Sequence, residues 1–225
     1  MADESPAPLV IAVRSAGRRA ERQVLVLDDG QELTFSSETC LRMGVRAGIS
    51  ATPILLAGLR ATDATVSAHE SALSLLSFRA RSAAELRSRL VRKGIDSDTA
   101  DAEIARLTAA GLLDDEAFAR RYVADRANLS PRGARLLRHE LRTHGIEADV
   151  AAAATQGVDD LSAALALARS RARGPALASY DTFRSRVGGF LQRRGFTYGV
   201  TAEALRVTWS ECSGERAPAD DLFEQ

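Results

Sequence analysis

All but one of the 30 basic residues in this 225-residue chain are arginine; the exception is Lys93. Cysteine is nearly absent. Cys40 and Cys212 have no neighbouring metal-ligand partners, and two lone cysteines exclude a disulfide framework and fit a reducing cytoplasm. Long apolar runs are missing too, since no stretch approaches about 18 apolar residues and no membrane span is expected. The opening "MADESPAPLV" is acidic and no apolar core follows it, so a signal peptide is not expected. Histidine is scarce: His69, His139 and His144 are the whole set. His139 and His144 are five apart and share a helix face poorly, which argues against a zinc pair. No phosphate-loop glycine pattern occurs, "GLRATDATVSA" included. No acid, base and nucleophile converge in the sequence, so neither an enzyme nor a cofactor is expected.

The hydrophobic content of 45% and charged content of 27% are those of an ordinary folded chain. Net charge is zero, but its distribution is uneven. Residues 66–210 carry 22 Arg/Lys against 17 Asp/Glu, and residues 211–225 carry 1 against 5. A basic middle followed by an acidic tail can accompany nucleic-acid binding; the plainer reading is a solvated helical surface.

A small β element comes first. "LVIAVR" at 9–14, "RQVLVL" at 22–27 and "ELTFS" at 32–36 read as strands, with the "DDG" of 28–30 as a turn. A short helix capped by Ser36 or Ser37 ends at Gly44, and Pro53 opens another near 53–59. Such a ribbon is marginal alone and needs a surface to lean on.

One phrase then recurs. "LVRKGI" at 90–95, "LRTHGI" at 141–146 and "LQRRGF" at 191–196 each end a helix on glycine and continue with an apolar residue. The spacing extends backwards: Leu86, Leu90 and Gly94; Leu137, Leu141 and Gly145; Val187, Leu191 and Gly195. The glycine takes φ > 0 at little cost, the next side chain packs back, and basic residues complement the helix dipole. An apolar helix precedes each unit and another follows it. Ser82 with Glu85 reads as a capping box, Ser130 before Pro131 as the start of the second middle helix, and Ser179 or Asp181 as that of the third. Asp114, Asp115 and Glu116 read as helix-capping acids before a Mg²⁺ site, and Phe118 with Tyr122 as core before a stacking platform.

The expected fold is mainly α: three tandem three-helix repeats in an elongated array, preceded by a small N-terminal β-ribbon. The divisions are 1–65 for the ribbon and short helices, 66–119, 118–158 and 159–210 for the repeats, and 211–225 for an acidic disordered tail. Stacked repeats share apolar faces and more often build a binding surface than a catalytic pocket.

"RSAAELRSRLVRKGI", "LTAAGLLDDEAFARRYVADRA" and "FLQRRGF", in this order, closely resemble the RecX family of bacterial recombinase regulators. The likeness covers roughly residues 70–208. It implies tandem three-helix repeats that bind the RecA recombinase and its filament on DNA. It further implies that they lie along the filament groove and hinder its growth, ATPase, strand exchange and coprotease activity. Direct binding of single- or double-stranded DNA is also implied for some members. The expectation is a cytoplasmic, monomeric, non-enzymatic regulator without cofactor or metal. The chain departs from the family in being neutral where many members are basic, and its second repeat has "RTHG" where the third has "QRRG". The rival reading is a DNA-binding repeat protein that competes for single strands, with an affinity that falls steeply with salt. Candidate contact residues are Arg92, Lys93, Arg138, Arg142, Arg193 and Arg194, at or near corresponding helix ends. If the repeats stack alike, these fall along one ridge able to meet acidic surface or phosphate.

Overall fold

The computed structural model describes residues 7–16 and 21–214. The chain divides into two compact units: Met1–Arg81 with Leu86–Leu113, and Ser82–Glu85 with Asp114–Gln225.

In the first unit, β1 (Val10–Ala16), β2 (Arg22–Leu27) and β3 (Glu32–Ser36) pair antiparallel in the order β1-β2-β3. Gly30, at φ 86°, turns β2 into β3. Leu25, Leu27 and Phe35 point inward and pack with Val10, Cys40, Ala51 and Leu59. Each fully buried leucine contributes about 1.5–3 kcal/mol. The surface that supports the ribbon is α1 (Ser37–Arg42) together with the first half of α2 (Pro53–Phe78). Ser36 caps α1, its Oγ accepting the Thr39 amide at 2.9 Å. Asp63 of α2 ties the two together: it accepts the Ser36 amide at 2.6 Å and pairs with Arg22 at 3.2 Å.

The sequence suggests a short helix at 53–59 and another from Ala72. The structure has one 26-residue helix, opened by Thr52 and Pro53. Its middle, "RATDATVSAHES", lacks an apolar stripe, but it also lacks any residue that would stop a helix. A boundary at 65/66 therefore falls inside α2. The unit is completed by α3 (Ala83–Arg92), apart from its first turn, and α4 (Ser97–Ala109). Leu86, Leu90, Ala100 and Leu107 are buried.

The second unit holds α5 (Asp115–Leu129), α6 (Ala134–Thr143) and α7 (Ala148–Thr155), then α8 (Asp160–Arg171) and a 3₁₀ turn at Gly174–Leu177. The third middle helix is α9 (Tyr180–Phe183), a π turn at Arg184–Gly188 and α10 (Gly189–Arg193), and α11 (Tyr198–Ser213) follows. Helix α5 begins at Asp115, ahead of the expected junction at 118–119, and α11 runs three residues into the segment read as a tail. There Glu211 accepts a fork from Arg169 at 2.7 and 2.8 Å. The tail beyond Gly214 lies outside the described residues. The π turn brings the Gly188 backbone so close to α11 that a Cβ there would meet Leu205 Cδ1 at 3.1 Å.

The recurrent phrase has one geometry. Ile95, Ile146 and Phe196 donate their amides to Leu90, Leu141 and Leu191, at 3.2, 3.0 and 3.3 Å. Gly94, Gly145 and Gly195 sit at φ 91°, 80° and 86° and donate to the carbonyls three residues back. These are three Schellman stops.

Candidate interaction surface

The first turns of α3 and α6 are each held by the repeat that follows. Ser82 caps α3 by accepting the Glu85 amide at 3.1 Å, and the same hydroxyl donates to the His144 carbonyl, just ahead of Gly145. The α6 cap is not Ser130: that residue ends α5, and α6 starts at Ala134 with Gly133 as a cap lacking a side-chain oxygen. The Gly133 amide instead donates to the Arg194 carbonyl at 2.9 Å, just ahead of Gly195. A carboxylate completes each site. Asp115 Oδ1 accepts the Ala83 amide at 2.9 Å, and Asp160 Oδ1 accepts the Ala134 amide at 2.8 Å. The preceding acids, Asp114 and Asp159, cap their own helices through the Ala117 and Ser162 amides. In the third repeat the cap is Ser179, whose Oγ accepts the Thr182 amide.

The approach is close enough to require the stop glycines for a second reason. A Cβ on Gly145 would lie 2.3 Å from Ala84 Cβ, and one on Gly195 would lie 2.2 Å from Leu136 Cβ. Gly94, with no repeat before it, has open space instead.

Arg92, Lys93, Arg138, Arg142 and Arg193 are exposed. Among the described residues none of them has a side-chain hydrogen bond or ion pair. Arg138 and Arg142 lie four apart on one face of α6. Arg92 and Lys93 belong to the first unit and the others to the second.

Arg194 differs from this group, being partly buried and committed to the structure. It donates to Ser130 Oγ at 2.7 Å and its guanidinium lies 5.1 Å from the centre of the Phe190 ring. Arg171 packs over the same ring at 4.3 Å. Beside them, Glu140 is shared: it accepts from the Tyr122 hydroxyl at 2.9 Å, lies 3.5 Å from Arg126 Nε and pairs with Arg132. Burial, then the charges of Arg126 and Arg194, pull the Arg132 guanidinium below its usual range, which reflects how closely the cations are gathered. Arg126, Arg132 and Arg171 lie outside the recurrent phrase that marks the other cations. Counting back from the stop glycines finds one of them: Arg132 corresponds to Arg81, each just ahead of its cap.

Phe118 and Tyr122 are core, packed around Ala119, Leu141, Ile146 and Ala151, with the His144 ring edge-on to both. A second polar cluster lies in the first unit. Buried Glu103 accepts a fork from Arg106 at 2.9 and 3.1 Å and contacts His69 Nδ1 at 2.9 Å. Burial opposes the Glu103 charge, but the Arg106 and His69 contacts prevail and hold its carboxyl below the ordinary range. Among the described residues, no three His, Cys, Asp or Glu side chains are grouped to hold a metal ion, and no helix is long and apolar enough to cross a membrane.

Three-helix units joined by shared caps, with cations exposed at their helix ends, define a helical repeat protein. Three family models match in sequence order: the first, second and third three-helix domains of RecX, over residues 68–107, 114–154 and 158–205. The chain belongs to the RecX family. The regulatory protein RecX of Corynebacterium efficiens is 39% identical over 148 residues, covering 62% of this chain and 70% of that one. The regulatory protein RecX of Mycobacterium avium is 36% identical over 148 residues, covering 64% of this chain and 84% of its own. The crystal structure of RecX from Lactobacillus salivarius shares the fold with a TM-score of 0.61, at 23% identity over 65% of this chain and 97% of that one. A further crystal structure of regulatory protein RecX matches 92% of this chain with a TM-score of 0.64 at 18% identity.

Proposed function

We propose that this chain is a cytoplasmic, monomeric regulator that binds the RecA recombinase and its filament on DNA and restrains filament growth. The ATPase, strand exchange and coprotease activities that depend on the filament fall with it. The observation that carries the reading is the set of exposed, unpaired cations at corresponding helix ends of a RecX-type repeat array: Arg92, Lys93, Arg138, Arg142 and Arg193. A repeating partner lets many modest contacts add, because each one made raises the effective concentration of the next. In this reading the array lies along the filament and blocks subunit addition or the movements coupled to ATP turnover.

The test is the ATPase of the cognate RecA on single-stranded DNA with substoichiometric amounts of this protein. Binding to the same DNA without RecA is measured alongside. Inhibition well below one-to-one supports action on the filament. Inhibition only after the DNA itself is saturated supports competition for single strands and overturns the filament mechanism.

A further inference from the structure

We infer that residues 220–224, "DDLFE", dock in a groove on the third repeat of the same chain and cover Arg193 there. The groove lies between α11 and the π turn with α10, and its volume is about 250 Å³. One wall is largely backbone, because Gly188 and Gly189 bring no side chains to it. π turns of this kind gather at functional sites. The facing wall is Thr201, Ala202 and Leu205, on one face of α11. Cofactor and drug-sized sites run from about 300 to 1,000 Å³, so this groove suits one or two side chains. Thr201 is 3% exposed, and its Oγ1 has no hydrogen-bond partner. Buried hydroxyls are rarely left so. A peptide backbone laid in the groove would supply the partner once the hydroxyl turns toward the opening.

Charge names the occupant. Arg184 stands at the rim. Arg193 folds back over the glycine wall, where a Cβ on Gly189 would meet its Nη1 at 3.3 Å. Among the described residues that line the groove, none is acidic. Glu203, beside Ala202, is held by Arg206 at 2.6 and 3.0 Å. A fitting occupant therefore joins an apolar side chain to flanking carboxylates. Residues 215–225 carry such a sequence: Leu222 and Phe223 stand between Asp220, Asp221 and Glu224. The tether is long enough. Gly214, at φ 70°, ends α11 in the left-handed turn that takes a chain off a helix axis. Thr201 lies about 20 Å back along α11 from there, at a rise of about 1.5 Å per residue. The chain from Gly214 to Phe223 spans up to about 30 Å when extended. Tethering keeps the local concentration high, so a weak contact suffices.

The docking stands without the filament reading; its effect rests on that reading, because Arg193 belongs to the surface proposed to meet RecA. Phe223 is replaced by p-benzoylphenylalanine in the full chain, which is irradiated, digested and read by mass spectrometry. Cross-links should form within one chain, to residues 184–192 or 198–205. Arg184→Glu with Arg193→Glu should cut the yield several-fold, and adding Asp220→Arg with Asp221→Arg should restore it, each variant being checked for folding by its melting curve. Cross-links to other surfaces, dimers whose yield rises with concentration, or a yield indifferent to charge reversal would each overturn the docking. With the docking in place, Phe223→Ser should inhibit the RecA ATPase at several-fold lower concentration than the parent. Equal inhibition by the two would overturn the masking of Arg193. Inhibition by neither would strike the filament reading, and the cross-link would still decide the docking.

Discussion

Asp115 begins the first helix of the second repeat, yet its Oδ1 accepts, at 2.9 Å, the amide of Ala83, which begins the middle helix of the first. Asp160 repeats the relationship one unit later with Ala134. Loss of a capping carboxylate typically costs about 1 kcal/mol. Asp115→Ala and Asp160→Ala should therefore each lower the unfolding free energy by about that amount in urea titration. Asp114→Ala should cost a similar amount through its own helix. Wild-type stability in both Asp115→Ala and Asp160→Ala would remove the shared-cap account.

The stop glycines should not be equivalent. Gly94→Ala meets only the left-handed backbone penalty, about 1–2 kcal/mol, because its Cβ would point into open space. Gly145→Ala and Gly195→Ala add a collision with the preceding repeat and should cost markedly more, to the point of poor soluble yield. Equal melting temperatures for all three would contradict the packing.

Glu103 sets an acid limit. Its folded pKa lies below the unfolded one, so it stabilises the fold fully above the unfolded value. That contribution is lost as pH falls below the ordinary carboxylate range and through the lowered folded pKa. Glu103→Gln should be less stable at pH 7 yet lose melting temperature less steeply over that acid window. Parallel curves for the two proteins would show that the carboxylate is not the titrating group that matters.

Arg193 and Arg194 adjoin in sequence and separate in role. Arg193→Ala should leave thermal stability within about 0.5 kcal/mol of the parent and weaken inhibition of the RecA ATPase. Arg194→Ala should lower the melting temperature, because Ser130 loses its partner and Phe190 loses one of its two guanidiniums. An Arg193→Ala protein that inhibits as well as the parent removes that residue from the contact surface.

What the sequence displayed was local. The strands, the Ser36 cap and the three Leu/Val–Leu–Gly registers depend on residues within one or two turns, and the structure has each of them. The unforeseen features depend on distant partners. Gly133 makes a workable cap only because Asp160 and the Arg194 carbonyl arrive from the next repeat. The π turn at Arg184–Gly188 answers to α11, and α2 is continuous through a polar stretch that no periodicity marks. Arg194 reads as one more helix-end cation until the position of Ser130, 64 residues earlier, is known.

Because each acid that completes a first turn belongs to the repeat downstream, the array has a direction. A ribosome releases the first repeat with its middle helix unfinished at the leading edge, and only synthesis of Asp115 and Gly145 completes it. The second repeat waits in the same way for Asp160 and Gly195. Maturation of the nascent chain is then a relay toward the C-terminus, ending at the third repeat, whose middle helix is capped by its own Ser179.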